Sequence, residues 1–227
     1  MPDTIEQQRR ELRLHHCGRE ERYLIHWLTY ADYMQIAQAL TELHHRLTYY
    51  DGDLEIRSVS AEHERANASL RRLIYGLALE LDLDLDCRGS ATLCHSDANA
   101  GLDPDDCFWI THEFAVRCRD TFDLSDTPPP DLVLEIEITL SLLDRLSILA
   151  ALNVPEVWRY DGEKIGILIL NASGDYVPSK KSKAFPFLPV NELVRFLNMQ
   201  ATMSQTQIAR AFREWVRQQV AAGWPQA

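Results

Sequence analysis

The segment Pro128–Trp158, PPPDLVLEIEITLSLLDRLSILAALNVPEVW, predicts the central unit of this chain. Its first part, Asp131–Ile138, alternates with the period of two that is typical of a β-strand. Leucine and isoleucine occupy one face of this strand, whereas Glu135 and Glu137 lie on the other. The three prolines at the entrance favour extended backbone geometry. The pattern therefore predicts a strand apolar enough to be central in a sheet, with an acidic face.

The pattern changes to a helical period after Thr139. Ser141-x-x-Asp144 resembles a capping box at a helix start, and Val154-Pro155 ends the helix. A second strand is predicted over Glu156–Tyr160, so the unit is strand, helix, strand. Arg145 lies on the predicted helix, and we expect its head to reach the acidic strand while its stem is partly buried. The apolar stripe of this helix consists of Leu142, Leu146, Leu149 and Leu152.

The two glutamates of the strand allow more than one interpretation. Alternating acids most often mean that one face of a sheet is solvated. Side chains on one face of a strand are roughly 7 Å apart, so Glu135 and Glu137 repel each other unless a cation or a basic side chain lies between them. A metal site or an acid/base site is therefore the functional alternative.

Composition bounds the class of protein. The chain has 227 residues and a formal net charge of −11, which argues against a constitutive non-specific binder of nucleic acid or anionic membranes. Its five cysteines form no C-x-x-C pair, so a zinc cluster or a disulfide framework is not expected. There is no signal-peptide-like region and no apolar run of 18 residues. We expect a soluble protein of a reducing, cytoplasmic compartment.

The chain divides into three predicted regions. Residues 1–28 form a charged extension, helical and mobile or loosely docked; residues 29–200 form the main domain; residues 201–227 contain a C-terminal helix. Asp51-Gly52 is a strong hairpin-turn signal. The main elements predicted before Pro128 are helix Thr29–Leu47, a hairpin over Leu47–Val59, helix Ala61–Leu83 and a strand over Leu85–Leu93.

Two surface features suggest partners. Lys180, Lys181 and Lys183 form a compact basic cluster, which is either a solvated loop or a strip that contacts a nucleic-acid backbone. The C-terminal helix carries an apolar set that either packs onto the chain's own core or forms a two-fold interface, and we lean to a homodimer. That set is Ile208, Phe212 and Trp215.

Five stretches in this order resemble the Uma-two family of restriction endonucleases, which is common in cyanobacteria and belongs to the PD-(D/E)xK nuclease superfamily. The resemblance covers Leu47–Leu188 and implies an α+β or α/β fold, a restriction-endonuclease-like mixed β-sheet flanked by helices. The stretches are YDGDLEI (Tyr50–Ile56), AEHE (Ala61–Glu64), LDPD (Leu102–Asp105), PDLVLEIEIT (Pro130–Thr139) and NVPEVWRYD (Asn153–Asp161).

The resemblance also implies a site. Asp105, Glu135 and the carbonyl group of Ile136 would hold a divalent cation, and such hard oxygen ligands suit Mg²⁺ or Mn²⁺. The chemistry would be metal-assisted hydrolysis of DNA phosphodiester bonds. Glu64, in the first turn of its helix, is a further candidate catalytic residue, although an acid there also complements the helix dipole.

Two departures from the family pattern bear on activity. The superfamily places Lys two residues after the Glu, where this chain has Glu137. The resemblance moves the basic residue to the following helix, where the matching position is Arg145. Arginine can pair with phosphate but stays protonated and cannot serve as a base. Glu137 would be either a third metal ligand or the partner of Arg145.

The leading prediction is therefore a Mg²⁺-dependent DNA endonuclease. The alternative is a catalytically degenerate nuclease-fold protein that acts as a binding module for nucleic acid or protein. A third class, a metal-dependent hydrolase of another phosphate ester, is also compatible with the same residues.

Overall fold

The computed structural model describes residues 12–17, 20–41, 43, 45–137 and 141–225. Within these residues the chain forms thirteen strands and six α-helices. The strands are β1 (Leu12–Cys17), β2 (Glu20–Ile25), β3 (His45–Tyr50), β4 (Asp53–Ser58), β5 (Asp86–Cys87), β6 (Leu93–His95), β7 (Ala100–Leu102), β8 (Asp106–Trp109), β9 (Phe122–Asp123), β10 (Leu132–Ile136), β11 (Glu156–Tyr160), β12 (Ile165–Leu170) and β13 (Tyr176–Ser179). The helices are α1 (Tyr30–Leu40), α2 (Ala61–Leu81), α3 (Glu113–Val116), α4 (Arg145–Ala151), α5 (Asn191–Asn198) and α6 (Gln205–Ala221).

The strands form two sheets. One has the order β1-β2-β4-β3-β7-β6-β9, and the other has the order β13-β12-β11-β10-β8-β5. In the second sheet β10 is parallel to β11 and antiparallel to β8, so the sheet is mixed. The predicted strand–helix–strand unit is present as β10-α4-β11. The predicted α+β class, with a mixed β-sheet flanked by helices, is confirmed.

The central strand β10 is buried on both faces. Leu132, Leu134 and Ile136 pack in a core with helices α2, α5 and α6. Val133 faces the other way and packs against Ile148 of α4 and its neighbours. The interpretation of the acidic face as solvated is therefore wrong at Glu135, which is only 7% exposed. Helix α4 covers this face because the crossover between two parallel strands must lie on one face of their sheet.

The helical expectation for the start of the chain is wrong where the structure describes it. Residues 12–17 and 20–25 form the antiparallel strands β1 and β2, and β2 pairs with β4 of the hairpin; residues 1–11 lie outside the described part. Glu20 and Arg22 of β2 are buried and hydrogen-bonded to each other. In the sequence, the charged residues of a buried ion pair look the same as charged residues at the surface. The sequence pattern therefore suggested a loosely attached extension.

Other element boundaries also differ from prediction. Helix α1 ends at Leu40, and His45–Tyr50 is strand because it pairs with β4 and β7. The hairpin itself is confirmed, with positive φ at Asp51 and Gly52. Helix α4 starts at Arg145 because Asp144, rather than Ser141, accepts the first backbone N–H groups.

The C-terminal helix α6 is confirmed, with Ser204 as its capping residue. Its apolar face packs on the chain's own core: Ile208 and Phe212 are buried, and the ring of Trp215 lies 5.8 Å from that of Phe196. A two-fold interface formed by these residues is therefore not supported. A homodimer stays a prediction and would need another surface. Within the described residues, none of the helices combines the length and hydrophobicity needed to span a bilayer.

Candidate functional site

Asp105 lies at the junction of the two sheets, between β7 and β8, and is fully buried. Its Oδ1 atom accepts a 2.6 Å hydrogen bond from Nη2 of Arg57 on β4 and lies 2.9 Å from Nε2 of His63 on α2. Its Oδ2 atom accepts the backbone N–H of Ile136 at 2.7 Å. Burial alone would raise the pKa of Asp105, but Arg57 and His63 hold it well below its usual range. Both oxygens are therefore engaged by positive or N–H donors.

His63 is the second positive neighbour of Asp105. It is 1% exposed, and its Nδ1 atom lies 3.5 Å from Oε1 of Glu20. Burial opposes its charge, but the carboxylates of Asp105 and Glu20 raise its pKa to about 9. His63 is therefore an imidazolium at neutral pH, placed there because Ser60 caps α2 and directs the first helical turn toward Asp105.

Glu135 and Arg145 form a two-point ion pair. Nη2 of Arg145 donates to Oε1 of Glu135 at 2.7 Å, and Nε donates to Oε2 at 2.9 Å. The same guanidinium donates to Oγ1 of Thr48 at 2.5 Å and to the carbonyl of Asp103 at 3.0 Å. Burial opposes the charge, but Glu135 and Asp105 raise the pKa of Arg145 above its ordinary value. The expected contact between Arg145 and the acidic strand is confirmed.

The other candidate acids have different partners. Glu137 forms an ion pair with Arg159 of β11 rather than with Arg145. Glu64 is about half exposed and pairs with Arg46 at 3.1 Å. Of the predicted site acids, the structure brings together Asp105 and Glu135.

A cavity of about 120 Å³ opens beside these ion pairs. Asp105 does not line it, whereas Arg57, which donates to Asp105, does. The cavity therefore presents paired guanidinium and carboxylate groups. It is lined by Arg57, Glu135, Ile136, Glu137, Ser141, Leu143, Asp144, Arg145, Leu146, Leu149 and Arg159.

A second buried ion cluster supports the rim of the cavity. Glu55 of β4 accepts a 2.5 Å hydrogen bond from Nη1 of Arg22. Its other oxygen accepts the hydroxyl of Ser141 at 2.7 Å and the backbone N–H groups of Leu142 and Leu143 at 3.0 and 3.2 Å. Glu55 thus anchors the segment that leads from β10 into α4.

Sequence reasoning missed Arg57, Glu55 and Arg22, and it noted His63 only as part of a motif. A weak signal existed: Glu55 and Arg57 share one face of β4, because residues two apart in a strand point the same way. The same pattern occurs on solvated strands. Only the contacts with residues far away in the sequence distinguish the two cases.

In this arrangement the residues do not fit a divalent cation. All four oxygens of Asp105 and Glu135 already contact Arg57, His63, Arg145 or the Ile136 N–H. Among the residues with described positions, no group of three or more His, Cys, Asp or Glu side chains is arranged to hold a metal ion. A cation between Asp105 and Glu135 would lie next to the positive groups of Arg57, His63 and Arg145. It would therefore require Arg57 or Arg145 to move. A Mg²⁺ or Mn²⁺ site stays a prediction.

The lysine cluster lies away from the cavity. Lys180, Lys181 and Lys183 are exposed, and the backbone N–H of Lys183 donates to Glu156 at 2.7 Å. Glu156 begins β11, whereas Arg159, which lines the cavity, is three residues further along. At about 3.3 Å per residue, the cluster is roughly 10 Å or more from the cavity along this strand.

Comparisons with known proteins give a family. Uma2, described as "Putative restriction endonuclease", matches residues 30–204. One solved structure with a similar chain is that of "a putative nuclease belonging to DUF820 from Anabaena variabilis ATCC 29413", with 13% identity, 82% of this chain and 99% of that chain covered, and a TM-score of 0.47. No curated protein matches the sequence. Because the Uma2 match spans more than half of the 227 residues, the chain belongs to the Uma2 family.

Proposed function

We propose that this chain binds the phosphodiester backbone of DNA without hydrolysing it. The observation that carries the proposal is the neutralisation of Asp105 and Glu135 by Arg57, His63 and Arg145. The chain belongs to a family whose description names restriction endonucleases, and this membership supports DNA as the ligand class.

The reason for expecting no hydrolysis is the chemistry of the positive groups. A nuclease of this kind needs a water activated by a metal ion or a base. Arg145 cannot accept a proton under ordinary conditions, because a guanidinium stays protonated. Its four hydrogen bonds to Glu135, Thr48 and the Asp103 carbonyl also hold it in place. Breaking a buried ion pair costs about 3–5 kcal/mol, so a metal that displaced Arg145 would bind roughly 10²–10⁴-fold more weakly.

The test uses purified protein, supercoiled plasmid and a fluorescent DNA duplex. We expect the duplex to bind in the presence of EDTA, and we expect the plasmid to stay supercoiled with Mg²⁺ or Mn²⁺. Glu135→Gln, which keeps the side-chain shape, is the matched variant. If the wild type nicks the plasmid and Glu135→Gln does not, the proposal is contradicted.

The second candidate is the Mg²⁺-dependent DNA endonuclease. Its favourable observation is that Asp105 accepts the N–H of Ile136, 31 positions away and next to Glu135, so the two acids of the family pattern meet. This candidate requires Arg145 to release Glu135. It predicts that Arg145→Lys keeps or raises plasmid cleavage and that Arg145→Ala loses it, whereas equal cleavage by all three proteins would remove Arg145 from the chemistry.

A further inference from the structure

We infer that the DNA backbone lies on a surface formed by α2 and α6, and this inference rests on the proposed binding of DNA. We call it the α2–α6 arginine surface. It consists of Arg65 and Arg72 on α2 and Arg210, Arg213 and Arg217 on α6. The exposed side chains of Tyr75 and Leu79 lie on the same helix as the first two.

The two helices lie side by side and run in the same direction. Arg72 borders Gln205 and Ala209 near the start of α6. A Cβ atom at Gly76 would lie 3.3 Å from Cγ of Arg213, so Arg213 crosses α2 at that glycine. One turn further, Glu80 pairs with Arg213 at 2.5 Å and with Arg217 at 3.6 Å. The arginines therefore follow one line along the pair of helices.

The charge of this surface is opposite to that of the chain. The surface carries five guanidinium groups, and the acids that pair with them are Glu80 and Glu214. The chain as a whole, by contrast, has a net charge of −11. Within the described residues, Arg65, Arg72 and Arg210 form no salt bridge. The side chains of Arg213 and Arg217 are about half exposed, but both contact Glu80, whose side chain is 9% exposed. Arg65, Arg72 and Arg210 are therefore the groups available to an external polyanion.

The dimensions suit a nucleic-acid backbone. With a rise of about 1.5 Å per residue, the line from Arg65 to Glu80 is roughly 22 Å long. That length corresponds to about six base pairs at 3.4 Å each, and each phosphate offers oxygens that a guanidinium contacts well. The lysine cluster, by contrast, places its three charges on one short loop.

The experiment measures the salt dependence of binding. The probe is a fluorescein-labelled DNA duplex of about two helical turns, which is long enough to cover the surface at 3.4 Å per base pair. Its binding is measured by fluorescence anisotropy across a range of KCl concentrations in the presence of EDTA. The test variant is the triple change Arg65→Gln, Arg72→Gln and Arg210→Gln, which breaks no salt bridge. The matched control is Lys180→Gln, Lys181→Gln and Lys183→Gln, which removes the same charge elsewhere.

We expect the arginine variant to flatten the slope of log Kd against log salt by roughly 0.9 for each lost phosphate contact, hence by up to about 3. The lysine variant should keep the wild-type slope, and a triple Arg→Lys variant should restore most of the lost slope. A wild-type slope in the arginine variant, or a flattened slope in the lysine variant alone, overturns the inference and leaves the proposed function standing. Wild-type protein that does not bind the duplex at low salt overturns the proposed function and the inference with it.

Discussion

Replacing Arg145 by alanine should destabilise the fold strongly. The guanidinium is 9% exposed and donates to both oxygens of Glu135, to Thr48 and to the carbonyl of Asp103. Arg145→Ala leaves these buried acceptors without a donor and leaves the charge of Glu135 without its partner. Loss of one member of a buried ion pair costs about 3–5 kcal/mol. For a domain of this size we expect the melting temperature to fall by roughly 6–20 °C.

The assay is thermal and urea denaturation followed by circular dichroism, with a surface pair as the matched control. Arg117 makes the same two-point contact with Glu113 of α3, at 2.7 Å for both bonds, but its side chain is 53% exposed. Arg117→Ala should leave the midpoint close to that of the wild type, because solvent screens an exposed pair. The double variant Arg145→Met, Glu135→Leu should recover much of the lost stability. Wild-type stability of Arg145→Ala would refute the reasoning that this pair is a buried structural element.

The pH dependence of stability should report on His63. Its pKa is raised from 6.5 to about 9 in the folded protein, so its contribution is complete below pH 6.5 and is lost as the pH rises through 9. We expect a loss on the order of 3 kcal/mol over that window, absent in His63→Asn. Calorimetry with Mn²⁺ should show no saturable site in the wild type. If the wild type instead binds Mn²⁺ at one site, and Asp105→Ala or Glu135→Ala abolishes that binding, the result would favour the endonuclease. Gly101→Ala should destabilise the protein by about 1–3 kcal/mol, because the new Cβ would clash with the buried hydroxyl of Tyr33; an unchanged urea midpoint would contradict that packing.

Local pattern was sufficient for the central unit, the hairpin turn and the C-terminal helix. The change of period after β10 predicted the strand–helix–strand unit, because apolar spacing alone decides which face a strand or helix can bury. Asp51-Gly52 predicted the hairpin turn, since both residues adopt positive φ. The apolar residues of the C-terminal helix predicted α6, and in the structure Ser204 starts it with a capping hydrogen bond.

The partners of the charged residues were decided by the tertiary structure. Arg57 meets Asp105 across 48 positions, and Arg145 meets Thr48 across 97 positions. A charged residue on a strand has the same sequence pattern whether it faces water or a buried counter-charge. Which of the two occurs depends on long-range packing, because burial stabilises a charge only where a partner of opposite sign is brought to it. By itself the sequence predicted the central unit, the two acids of the family pattern and the reach of Arg145 to the acidic strand, whereas the fold decided that Arg57 and His63 also meet Asp105.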